Sequence, residues 1–130
     1  MIAVDTNVLV RLLVNDPNEQ AQIDIAKALL HEAKQVYVPQ IVQVELVWVL
    51  ETAYHFDKTE VIYSLRHIVE QPLFNLQHQE LFLAALEIFQ NCNADFSDCL
   101  ILAESQYKHC ELASFDKKLG KLQGVRKLKK

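Results

Sequence analysis

The sequence predicts an α/β domain with a central, mostly parallel β-sheet flanked by helices. Three observations predict it: short apolar runs alternate with longer stretches of helical periodicity along the whole chain, the composition is 51% hydrophobic, and only two of the 130 residues are Gly. A chain of this length supports one compact core, so residues 1–130 are expected to form a single domain. So few glycines disfavour an all-β fold built on tight turns, and the apolar content disfavours disorder.

The elements follow in order. Ile2-Ala3-Val4 is too short for a helix and suits a buried strand ending at Asp5. Val8, Leu9, Leu12 and Leu13 recur at helical spacing up to the break at Asn15-Asp16-Pro17. A second helix starts near Asn18, with Ala21, Ile25, Ala28 and Leu29 as its apolar stripe, and fades at His31–Gln35. Val36-Tyr37-Val38 reads as a strand stopped by Pro39. Gln40 to His55 fits helix or strand by composition, and its length without a turn signal decides for helix. The polar group Asp57 to Glu60 opens a helix through Val61–Val69 that Gln71-Pro72 closes. Leu73–Leu76 is a further strand, and Leu81, Phe82, Ala85, Leu86 and Phe89 mark a helix ending in the loop Asn91–Ala94. Asp95–Tyr107 is helical through Cys99, Leu102 and Ala103, and Leu112–Phe115 is a last strand ending at Asp116. Strands that alternate with helices pair in parallel.

Composition narrows the function classes. The three cysteines show no paired spacing, which favours reduced thiols over a disulfide framework or a zinc knuckle. No basic segment precedes an apolar stretch at the start, so the expected location is the cytoplasm. The apolar region Val36–Leu50, interrupted by Pro39, Gln40, Gln43 and Glu45, is shorter than the roughly 20 residues of a membrane span. The formal charge of −4 opposes binding to a phosphate backbone, yet seven of the thirteen basic residues fall within 117–130. That stretch reads either as a solvated tail or as a phosphate-contacting patch.

Acids stand where chemistry would place them. In open parallel sheets ligands gather beyond the carboxyl ends of the strands. Asp5 and Asp116 end the first and last expected strands and should emerge on one sheet edge, although helix N-capping accounts equally for either. Asp95 and Asp98 begin a helix, where capping and the helix dipole offer a structural reason for both. Glu45 lies within an apolar helix, where a carboxylate needs solvent, a partner or a cation, a solvent-facing stripe with Gln43 being the plain alternative. Together these oxygen ligands suit a hard cation, magnesium or manganese, and their repulsion calls for one. Such an ion can activate water for in-line attack on a phosphodiester.

Four motifs in order resemble the PIN-domain family, and within it the VapC-like toxins: Ile2-Ala3-Val4-Asp5-Thr6-Asn7-Val8-Leu9, Val44-Glu45-Leu46-Val47-Trp48-Val49-Leu50, Ala94-Asp95-Phe96-Ser97-Asp98-Cys99-Leu100-Ile101-Leu102-Ala103, and Ser114-Phe115-Asp116-Lys117-Lys118-Leu119. The resemblance implies a PIN fold and a metal-dependent endoribonuclease using Mg2+ or Mn2+, with catalytic carboxylates at Asp5, Glu45, Asp98 and Asp116. It implies Asp95 as a further metal ligand and Thr6 and Ser114 as hydroxyls that position a metal-bound water. It also implies a toxin with an RNA substrate, a cognate antitoxin and a homodimeric state.

Competing readings fit less well. A haloacid-dehalogenase-type phosphatase needs an acid where Asn7 stands, and a dinucleotide-binding domain needs Gly within Asp5–Val14, which has none. A receiver-like regulatory module or an inactive PIN domain is the non-catalytic alternative. Cys99 and Cys110 are expected in the core, the five histidines in structural or surface roles, and Trp48, Tyr37, Tyr54, Tyr63 and Tyr107 in packing.

Overall fold

The computed structural model describes residues 1–130, with five strands and six α-helices in the order β1 (Ile2–Ala3), α1 (Thr6–Leu13), α2 (Gln20–Ala33), β2 (Val36–Val38), α3 (Gln40–Thr52), α4 (Lys58–Glu70), β3 (Phe74–Leu76), α5 (Gln79–Gln90), α6 (Phe96–Tyr107), β4 (Leu112–Ser114) and β5 (Val125–Lys127). Short 3₁₀ turns occupy Pro17–Glu19 and Leu119–Lys121. Every strand pairing is parallel, as expected of strands separated by helices. None of the helices is long and apolar enough to cross a membrane. By contacts the chain divides into two compact units, Met1–Gln77 and His78–Lys130.

The first unit is a three-stranded sheet in the order β1-β2-β3, with Ile2 opposite Val36 and Val36 opposite Phe74. Two helices form each crossover. Val36 and Val38 on β2, Leu9 and Val10 on α1, and Leu46, Val47 and Leu50 on α3 are buried with Val61, Leu65 and Ile68 of α4. A capping box opens α4: Asp57 accepts from the Glu60 amide while the Glu60 side chain accepts from the Asp57 amide. Gln43 lies 1% exposed within this core, where its Nε2 donates to the carbonyls of Val38 at 3.2 Å and Gln77 at 2.8 Å. Gln43 therefore does not share a solvent-facing stripe with Glu45, the plain alternative offered by the sequence. Its amide supplies a donor to the Gln77 carbonyl just past β3 and a second donor to the Val38 carbonyl, which the Gln77 amide already pairs.

The second unit packs α5 on α6, with Phe96 as the hub of two edge-to-face contacts, to Phe82 at 5.6 Å and Phe89 at 5.7 Å. Here β4 pairs with β5, setting Ser114 opposite Lys127. The α/β fold expected from the sequence is present, its parallel strands hydrogen-bonded as a three-stranded sheet, β1-β2-β3, and a two-stranded one, β4-β5. The basic segment is also more than a tail. Leu119 is buried, residues 125–127 form β5, and Arg126 pairs with Glu111 at 2.7 Å. Gly120 lies close beneath β5, where a Cβ would come within 2.9 Å of the Lys127 side chain and force it to shift.

Turns use side-chain-bearing residues where glycine would be easiest. Lys34, His55, His78 and His109 all have left-handed backbone, with φ between 52° and 66°. Lys34 ends α2 in this conformation and His78 precedes α5. Three of the five histidines therefore mark chain reversals, in keeping with the structural roles expected of them.

Candidate active site: two groups of acids

In the first unit, Asp5 follows β1 and caps α1, its Oδ1 accepting from the Val8 amide at 3.0 Å. This confirms the capping role while leaving Oδ2 outside that bond. Thr6, the first residue of α1, donates from Oγ1 to Glu45 Oε1 at 3.0 Å. Glu45 sits in the second turn of α3, which starts directly after β2, so the bond joins the chain leaving one strand to the helix that follows its neighbour. Glu45 is exposed rather than lodged among apolar side chains. Its helix buries Val42, Leu46, Val47 and Leu50 on the opposite side, while Ile41, Glu45 and Trp48 share the exposed one. Trp48 is 65% exposed, which corrects the expectation that it packs in the core. The same correction holds for Tyr63, Tyr107 and Cys110, all exposed.

In the second unit, Asp95, Asp98 and Asp116 line one cavity of about 320 Å3 together with Ala94, Lys117 and Lys118. Asp95 is the residue before α6, but its side chain makes no capping bond. The simple capping account of Asp95 therefore fails. Burial, followed by the charges of Asp95 and Asp116, raises the pKa of Asp98 above the ordinary carboxylate value. Asp116 is held by two local bonds: its amide donates to Ser114 Oγ at 3.0 Å, and its Oδ1 accepts from the Leu119 amide at 2.8 Å. Ser114, expected to place a water, here first fixes the turn that presents Asp116. Lys117 and Lys118, read from the sequence only as part of a basic run, belong to the wall of this cavity. Their position within the fourth motif, directly after Asp116, was the available signal.

The donor set suits a hard divalent cation. It consists of carboxylate oxygens, and the elevated Asp98 pKa records a charge unfavourable without compensation. No three His, Cys, Asp or Glu side chains are already in ligating positions around one point.

The PIN-domain family profile matches residues 2–125 of the chain. The chain belongs to the PIN-domain family. This PIN domain is 25% identical to a VapC ribonuclease of Aquifex aeolicus (strain VF5) over 124 residues, spanning 94% of this chain and 92% of the relative. It also aligns with a solved toxin-antitoxin complex from Klebsiella pneumoniae at 24% identity and a TM-score of 0.36, over 96% of this chain and 94% of the other. The four motifs quoted from the sequence all lie within the matched span.

Proposed function

We propose that this PIN domain is a metal-dependent endoribonuclease, the toxin of a toxin–antitoxin pair, acting in the cytoplasm as a homodimer restrained by a cognate antitoxin. The observation that carries the reading is the cavity where Asp95, Asp98 and Asp116 meet Lys117 and Lys118. Similarity to a VapC ribonuclease along nearly the full length supports it.

Asp5, Glu45, Asp98 and Asp116 are the catalytic carboxylates of this proposal, and Asp95 is a further metal ligand. When bound, Mg2+ or Mn2+ would supply Lewis-acid activation of water and neutralise charge on the scissile phosphate. The chain's own groups do the rest. Thr6 fixes the rotamer of Glu45 through its 3.0 Å bond, and Ser114 fixes the turn that holds Asp116. Lys117 and Lys118 attract the phosphate backbone to a cavity that its acids alone would repel. Trp48 offers an exposed ring one helical turn from Glu45, a surface on which an unstacked base of single-stranded RNA can lie.

The test is RNA cleavage by purified protein with Mg2+, with Mn2+ and with chelator, beside Asp98→Asn. Cleavage that requires the ion and disappears in the variant supports the proposal. Cleavage that persists in Asp98→Asn overturns the assignment of the site, and none with any ion and a broad set of RNAs overturns the activity in favour of a binding module.

A further inference from the structure

Cys92 and Cys99 bracket the turn that carries Asp95, and their Sγ atoms are 3.6 Å apart. Cys92 is half-buried in the loop after α5, whereas Cys99 is fully buried in the first turns of α6 and adjoins Asp98 in sequence. Its Sγ also faces the Ala94 carbonyl at 4.0 Å, so this thiol lies beneath the loop. The third cysteine, Cys110, is exposed, and its Sγ contacts the Lys108 carbonyl at 3.6 Å.

We propose that Cys92 and Cys99 form a reversible redox couple whose disulfide closes a ring over residues 92–99 and restrains the segment bearing Asp95 and Asp98. A disulfide needs a sulfur separation of about 2.0 Å, so closure takes a shift of about 1.6 Å, within reach of a loop residue moving towards a fixed helix. The oxidant is a peroxide. Hydrogen peroxide converts the accessible Cys92 thiol to a sulfenic acid and releases water; the Cys99 thiol then attacks that sulfur, forming the S–S bond and releasing a second water. Two thiols are oxidised, one peroxide is reduced to two waters, and a dithiol reverses the change by exchange.

The consequence for cleavage rests on the ribonuclease reading. Asp95 and Asp98 line one cavity with Asp116, and their carboxylates adjust as a cation and phosphate enter it. A ring of eight residues that contains both limits this adjustment, and oxidation switches the enzyme down.

The experiment uses the full chain carrying Cys110→Ser, treated with hydrogen peroxide and then dithiothreitol, with Cys92→Ser added in a parallel sample. Peptide mapping should show a Cys92–Cys99 link that dithiothreitol removes, and amide exchange across residues 93–98 should slow in the oxidised form. RNA cleavage should fall about tenfold or more, since misplacing a catalytic group by about an ångström costs up to about 10²-fold. The Cys92→Ser sample should keep its activity under peroxide. Over-oxidised thiols, an intermolecular link or no thiol loss would overturn the couple; a clean link with unchanged cleavage would overturn the switch. If neither redox state cleaves RNA, the ribonuclease reading fails by itself. The mapping and the exchange rates then still decide the couple and its restraint: slowed exchange supports it, unchanged exchange refutes it.

Discussion

Thr6 Oγ1 and Glu45 Oε1, 39 positions apart in sequence, lie 3.0 Å apart in the fold. The bond is exposed, so it adds little to stability, but it removes rotational freedom from Glu45 on α3. Thr6→Val should therefore leave the thermal midpoint almost unchanged while lowering RNA cleavage about tenfold, the lower end of what loss of an orienting partner costs. Paired melting and cleavage assays check this, and a large loss of stability would show that the bond is chiefly structural.

Asp98 gives a prediction with a definite sign. Its pKa is raised on folding by burial, then by Asp95 and Asp116. The folded state therefore holds the proton more tightly than the unfolded chain does, and this contribution to stability, complete below the unfolded pKa, is lost as pH rises through the folded one. Asp98→Asn should be more stable than the parent at neutral pH without divalent ions. The difference should shrink as pH falls through the raised pKa. Denaturant titrations from pH 7 down into the carboxylate range measure it, and a parent as stable as the variant at pH 7 would contradict the repulsion.

Gln43 offers a test confined to the fold. Replacing it by Leu keeps the volume roughly constant but takes the Nε2 donor from the Gln77 carbonyl, while the Val38 carbonyl keeps the Gln77 amide. Leaving one acceptor unpaired costs about 1–3 kcal/mol, so Gln43→Leu should destabilise by about that much. Urea denaturation reads the change. No measurable loss would mean that water takes over the Gln77 carbonyl.

The basic segment needs a finer probe than truncation, because removing residues after Leu119 would also remove β5. Lys117→Gln with Lys118→Gln leaves the strand in place. RNA affinity should fall and the slope of log K against log salt should flatten by about 0.7 per lost phosphate contact on single strands. Binding isotherms at several salt concentrations would show it. An unchanged slope would return both lysines to a solubilising role.

Most helices were legible because their apolar stripes have the right period and their ends carry conventional signals. Asp57 with Glu60 at the start of α4 is the clearest case, and α3 was settled by length alone. The three-residue strands β2 and β3 were bounded by Pro39 and Pro72. Strand β5 was illegible. Val125-Arg126-Lys127 has one apolar residue, and its pairing with β4 depends on a partner distant in sequence. At the candidate site, position could be read from motif order, whereas exposure could not. Glu45 and Trp48 share an apolar segment with Leu46 and Leu50, and periodicity alone does not say which side of such a helix meets water.

The four left-handed residues Lys34, His55, His78 and His109 have a consequence for engineering. Each holds a backbone shape that costs a side-chain-bearing residue about 1–2 kcal/mol and glycine far less, offset in part by the wider freedom glycine gives the unfolded chain. All four lie outside the acidic motifs. Glycine at these reversals is thus a route to a more heat-resistant protein whose chemistry is left as nature set it, and a sturdier parent in which disabling changes to the acids could be studied without the fold giving way.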